Sequence, residues 1–362
     1  MTKKKHINAD STTVFLLIAL TLAFPKQCAL YCRDALSVCA DFLIPSVFLF
    51  TVLSKFLASL AAEVRFSGKF TVLFSRFFNL PATLVPTCIL GLFSSAPSGA
   101  IAIGDIYEKG LCTKEEAERA SVLANNCSAA FILAMAGTIT GSYIYATVIL
   151  ISEILSVLSV YFLLFRDGET TYVKKSMDTT TASFIALLCK SITCSAEISL
   201  TICAYVLFFS SFGRAICDLL SALMPSLFST PLLRGIITSF FEMTTGIGLL
   251  GEIQGYGKVP LIGSAVSFCG LSIIFQVTGF LNEKGLSSHH FIFSRFLTLM
   301  LTPVIITILL FLLPENICVI AYPTQKTSGG FSTGDAASLT AITVLFIIGA
   351  YFISLLDKKH KK

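Results

Sequence analysis

The residue type and spacing most suited to chemistry is Glu242, which closes an apolar approach and is followed at once by Met243, Thr244, Thr245 and Gly246. At bilayer depth a carboxylate beside two hydroxyls is expensive enough to mark a functional site. It suits a bound proton or sodium ion, or a hydrogen bond from a solute. The structural alternative is an ion pair with Arg234 or Arg295. Three more polar clusters interrupt apolar sequence. Ser94, Ser95, Ala96, Pro97, Ser98 and Gly99 stop the stretch Leu80–Phe93, and Asn125, Asn126, Cys127 and Ser128 interrupt a stretch that has just resumed at Val122. Ser267 to Ser272 interrupts a third, with Gln276 one helical face on and Arg295 able to add positive charge. Catalytic sets are not among these clusters. The chain has no His-Glu-x-x-His, no Gly-x-Ser-x-Gly elbow, no paired membrane aspartates and no phosphate-binding Gly-x-x-x-x-Gly-Lys-Ser/Thr loop. Its four histidines, His6, His289, His290 and His360, are terminal or in loops. The expectation is a protein that is not an enzyme and takes no cofactor.

The elements that must position these residues follow from composition. The chain has 362 residues, 55% of them hydrophobic and only 13% charged, and its mean hydropathy is +0.83. Soluble domains carry about 25% charged residues, so lipid must cover much of this surface. Runs such as Tyr143–Phe165 and Phe291–Leu313 match the ~20 residues a helix needs to cross a ~30 Å hydrocarbon core. The net charge of +5 sits at the ends, in Lys3, Lys4 and Lys5 and in Lys358, Lys359, Lys361 and Lys362. That is the positive-inside pattern and places both termini in the cytoplasm. No basic patch with interleaved aromatics occurs in a polar setting, so nucleic acid is excluded as a partner. The first apolar run, Val14–Phe24, lacks a small-x-small cleavage site and reads as an uncleaved helix. None of the twelve cysteines forms a Cys-x-x-Cys pair. They read as small polarizable fillers, with no disulfide framework or metal site.

Along the chain, residues 1–26 form an N-terminal membrane helix, 27–166 a first repeat, 167–181 a polar linker, 182–313 a second repeat, and 314–362 a last membrane helix (about Ala336–Leu356) with a basic tail. Thr113, Lys114, Glu115 and Glu116 read as a helix N-cap with first-turn carboxylates. Ser94–Gly99 answers Glu242–Gly246, Asn125–Ser128 answers Ser267–Ser272, and Tyr143–Phe165 answers Phe291–Leu313, at offsets of roughly 140–150 residues. Unpaired backbone groups cost several kcal/mol in hydrocarbon, so a Pro- or Gly-bearing break survives only inside protein or facing water. Each break is a re-entrant hairpin tip or a kink repaired by neighbours. The expected fold is an all-α polytopic membrane protein with about 8–10 membrane segments. It comprises two pseudo-symmetric, inverted-repeat halves with broken or re-entrant helices.

The run Ser94-Ser95-Ala96-Pro97-Ser98-Gly99-Ala100, followed by Tyr107-Glu108-Lys109-Gly110, Thr113–Arg119 and Asn125-Asn126-Cys127-Ser128, resembles the YlbJ family of sporulation integral membrane proteins, which carry the nucleoside recognition or Gate domain. Phe241–Gly246 and Phe268–Ser272 with Gln276 are similar to the family's second signature, and the likeness spans about Ala29–Leu313. Ser95 and Ala96 stand where the family usually has glycine and tyrosine, and Cys127 departs from its asparagine-rich run. The resemblance implies a bacterial cell-membrane protein, in the outer forespore membrane, that moves dipicolinic acid.

The expected activity is that of a secondary transporter or permease for a small anionic solute, with H+ or Na+ as a coupling ion. The expected binding set is Ser94, Ser95, Ser98, Gly99, Asn125, Asn126, Ser128, Glu242, Thr244, Thr245, Gly246, Ser267, Ser272, Gln276 and Arg295. The alternatives are a non-transporting scaffold or gate subunit of spore assembly, working as a homo-oligomer or with sporulation membrane partners, and a nucleoside-type transporter.

Overall fold

The computed structural model describes residues 3–63, 69–166, 183–228 and 230–313. The polar linker, the last apolar run and the basic C-terminal tail lie outside them. Every element among the described residues is helical. Five helices are long and apolar enough to cross a bilayer, or six if a pair bent by 96° between Ala23 and Pro25 counts as one span. The chain is a polytopic α-helical membrane protein.

The first half comprises α1 (Lys3–Ala23), α2 (Pro25–Val38), α3 (Ile44–Glu63), α4 (Lys69–Phe78), α5 (Val85–Gly91), α6 (Ser98–Glu108), α7 (Lys114–Ala124), α8 (129–140) and α9 (Tyr143–Phe165). Pro25 ends α1 because the residue before a proline is driven out of the helical region; Phe24 has φ −129° and ψ 52°. A π-helical turn, Cys39–Leu43, carries α2 into α3. Thr113 and Glu116 form a complete capping box at the start of α7. The second half comprises α10 (Phe184–Leu223), α11 (Pro231–Phe241), α12 (Met243–Gly251), α13 (Lys258–Phe268), α14 (Gly270–Glu283) and α15 (His289–Leu312). From α5 onward the two lists run in parallel: two short arms, a span broken in its middle, then an unbroken span.

The short arms are hairpins. α11 and α12 run out and back, because Gly246 lies against the backbone of Ser239 and Gly235 against Leu250, two pairings placed symmetrically about Glu242 and Met243. In the first hairpin Gly91 of α5 and Gly99 of α6 both press against Ala124. Arms of 11 and 9 residues are about 16 and 14 Å long at 1.5 Å per residue. Each reaches roughly halfway through a ~30 Å core. These breaks are hairpin tips and not kinks.

The halves are inverted. The α6–α7 turn of the first half meets the α14–α15 turn of the second: Lys284 Nζ lies 2.7 Å from Glu108 Oε2, and Ser287 N–H donates to Glu118 Oε1 at 2.7 Å. The bond to Glu108 raises the Lys284 ammonium above the usual lysine value. Conversely, the α12–α13 turn meets the α8–α9 turn, with Tyr256 against Tyr145 and Gly251 against Ile139. Equivalent turns therefore lie on opposite faces, so the hairpins enter from opposite sides and their tips approach in the middle. The two broken spans, α7–α8 and α13–α14, are the most enclosed. In them 67% and 78% of the most apolar window is buried, against 39–44% in the unbroken spans.

The structure narrows two expected interruptions. Only Glu242 leaves the helical region in the second tip (φ −144°, ψ 116°), and Met243 to Gly246 already form the first turn of α12. The threonine amides find acceptors at once, so no longer loop is needed. The Ser267–Ser272 interruption contracts to Cys269, held left-handed at φ +71°, with Gly270 following at φ +72°.

Candidate functional site

The first tip is closed by its own serines. Ser98 Oγ donates to the Ser95 carbonyl at 2.6 Å and Ser94 Oγ lies 3.1 Å from it, while Ser95 Oγ donates to the Ala96 carbonyl at 2.8 Å. The tip then borrows backbone from the broken span beside it. Ala96 N–H donates to the Asn126 carbonyl and Ala129 N–H to the Phe93 carbonyl, both at 3.0 Å. Two interruptions thus satisfy one another, as hydrocarbon depth requires.

The asparagines complete this exchange. Asn125 Oδ1 accepts from Ala100 N–H at 2.7 Å, capping the start of α6, and its amide donates to the Ser121 carbonyl at 2.9 Å. Asn126 Nδ2 donates to the Gly91 and Leu123 carbonyls at 3.1 and 2.6 Å. Ser128 Oγ accepts from Phe131 N–H at 3.0 Å and restarts the helix. Two buried ionisable side chains flank this break. Glu153 Oε1 accepts from Cys127 N–H at 3.1 Å. Arg295 Nη2 donates to Asn126 Oδ1 at 3.1 Å and to the Val122 carbonyl at 3.3 Å, and Nη1 reaches the Ser267 carbonyl at 3.5 Å.

Glu242 caps the returning arm of its own hairpin. Oε1 accepts from the N–H and hydroxyl of Thr244, and Oε2 from the N–H and hydroxyl of Thr245 at 2.8 and 2.7 Å. It pairs with neither Arg234 nor Arg295, the structural alternative for it. Arg234 is taken by Asp218 at 2.9 Å, and Arg295 by the break in the first half. Thr245 Oγ1 also meets Ser210 Oγ of α10 at 2.9 Å, which ties the tip to that helix.

These parts enclose one cavity of about 20 Å³ between the halves. Its polar wall is Ser95, Asn126, Ser128, Glu242 and Thr244 with Cys127; Leu43, Val47, Ile202 and Val206 close the apolar side. The volume holds about one water, so a larger molecule enters only if the tips part. No family model, curated protein or solved structure matches the chain.

Five of the expected binding residues line the cavity. Ser94, Ser98 and Gly99 line a separate one. Asn125 stands behind the wall as a cap on α6, Thr245 donates to Glu242 with its N–H and hydroxyl, and Gly246 packs on Ser239. Ser267 belongs to a polar core away from the cavity, where the Thr302 hydroxyl bridges Ser267 Oγ at 2.7 Å and Ser156 Oγ at 2.8 Å. Gln276 Nε2 donates to Ser272 at 3.4 Å, and its Oε1 has no partner among the described residues. Arg295, fully buried, braces both broken spans and does not reach the cavity. Cys127, not among the expected binding residues, also lines the cavity. The aliphatic lining residues Leu43, Val47, Ile202, Val206 and Ile273 carry no signal that separates them from other membrane leucines, valines and isoleucines.

Proposed function

We propose that the chain is a secondary transporter or permease for a small anionic solute, which passes between the two hairpin tips. One observation carries this reading: inverted halves bring two half-membrane hairpins and a broken span to a shared polar cavity. Interrupted helices in matching positions of inverted repeats are how transporters build midplane sites. The four-donor cap at Glu242 fixes where the site's negative charge sits. An anion approaching it is repelled unless a proton or Na+ arrives too, so Glu242 is the natural coupling point. On the resemblance to the YlbJ family, dipicolinate is the solute to test first, and the outer forespore membrane the place.

The test is uptake of labelled dipicolinate and of a labelled nucleoside into vesicles containing only this protein. Dipicolinate is expected to accumulate and the nucleoside is not. Glu242→Gln and Asn126→Ala are each expected to cut the uptake at least tenfold at equal protein content, a loss equivalent to about 1.4 kcal/mol or more. Nucleoside uptake alone favours the nucleoside-type reading. No uptake of either favours the scaffold.

A further inference from the structure

Glu153 is a carboxyl that the transport reading leaves unused. Ten residues of α9 precede it and twelve follow, which puts it about 15 and 18 Å from the two ends of an unbroken span at 1.5 Å per residue. It is only 2% exposed. Oε1 accepts from Cys127 N–H at 3.1 Å, and the other oxygen has no hydrogen-bond partner among the described residues. No lysine or arginine forms an ion pair with it among them. Glu242 is the opposite case. Its donors fill the roughly four acceptor positions of a carboxylate, so a metal cation reaches neither oxygen without displacing one of them. A negative charge at the depth of Glu153, with one donor, costs several kcal/mol. Binding a proton removes that cost.

We infer that the coupling ion is a proton and that Glu153 carries it. The inference rests on the transport reading above and names its ion. The groups that act on Glu153 are Arg295 of α15, Cys127 of the first break and Cys269 of the second. Arg119 of α7 meets α9 about two turns further on, at Tyr161. Lys258 opens α13 beside Gly251, and α8 carries no titratable side chain. Arg295 holds Asn126 and Glu153 holds the adjacent Cys127, so opposite charges grip neighbouring residues of the cavity wall. With Glu153 ionised, it offsets the guanidinium, and the charge of Glu242 dominates the cavity. With Glu153 protonated, Arg295 is left uncompensated directly behind Asn126 and offsets Glu242 instead. The anion then enters without net repulsion, and loss of the proton to the far side restores the repulsion that expels it.

The experiment uses the full chain in vesicles, with labelled dipicolinate outside and a pH-sensitive dye sealed inside. For the wild type, an acid-outside gradient is expected to drive uptake and to acidify the lumen; a Na+ gradient at equal pH is expected to do neither. Glu153→Gln keeps an acceptor for Cys127 N–H but holds no exchangeable proton. Its ratio of gradient-driven uptake to exchange against preloaded, unlabelled dipicolinate is expected to fall about tenfold or more. Glu153→Asp, which still carries a proton, is expected to keep that ratio within about threefold of wild type. A role in packing alone would lower both modes together and leave the ratio unchanged. A melting curve shows whether each variant is folded, and if the glutamine variant is not, the dye and Na+ measurements on the wild type decide. An unchanged ratio in folded Glu153→Gln, or wild-type uptake driven by Na+ or by neither gradient, overturns the inference and leaves the transport reading standing. A wild-type protein that neither accumulates nor exchanges dipicolinate overturns both.

Discussion

Replacing Gly99 with alanine is expected to destabilise the protein by about 3 kcal/mol or more, at the upper end of what overpacking costs. A Cβ built at Gly99 lies 1.8 Å from the Ala124 carbonyl oxygen and 2.6 Å from its carbon, and these are backbone atoms that no rotamer change can move. Ala124 is also the last residue of α7 before the break, so displacing it disturbs the Asn125 cap on Ala100 and the paired backbone bonds behind it. Gly248 supplies the control. It is helical, with nothing within 4 Å of a Cβ, so Gly248→Ala is expected to be neutral or to stabilise by about 0.5–1 kcal/mol. The readout is a melting curve with a thiol-reactive dye. It suits a chain that has no tryptophan and eleven free cysteines among its described residues, most of them buried.

Arg295→Met is expected to cost about 3–5 kcal/mol, the range for removing one partner from a buried charged network. By volume the side chain is replaced well. What is lost is the donor set that holds Asn126 Oδ1, the Val122 carbonyl and the Ser267 carbonyl together, two groups from the first broken span and one from the second. Lysine is not expected to rescue it, because a single ammonium cannot reproduce a planar fork serving acceptors on two sides. Both variants are expected to lower the apparent melting temperature by roughly 5–10 °C. A Lys variant that melts with the wild type contradicts the bracing role.

The architecture was legible because lipid makes each polar interruption meaningful. The Ser94–Gly99 and Glu242–Gly246 runs stand out only against apolar sequence, and both proved to be hairpin tips. Their matched order announced the repeat. The inversion emerged from contacts between turns, which spacing along one chain does not encode. The roles of individual residues were harder to read, since a buried asparagine or arginine bonds backbone as readily as it bonds solute. Asn125 turned out to be a cap and Arg295 a brace for that reason. Glu242, expected as the carboxylate of the site, lines the central cavity. The alternative reading, an ion pair with Arg234 or Arg295, does not form, because two threonine amides and two hydroxyls, all within three residues, satisfy it locally.

The most direct test asks whether the tips must separate for solute to pass. Ser95 and Thr244 line the central cavity from opposite hairpins. In a background with Cys127 and the other native cysteines replaced, Ser95→Cys and Thr244→Cys can be bridged by Hg2+ or a short bifunctional thiol reagent and released by reductant. Dipicolinate uptake into vesicles is expected to stop when the bridge forms and to resume when it is broken, with each single-cysteine variant unaffected. Full-rate uptake with the bridge intact would show that the solute takes another route.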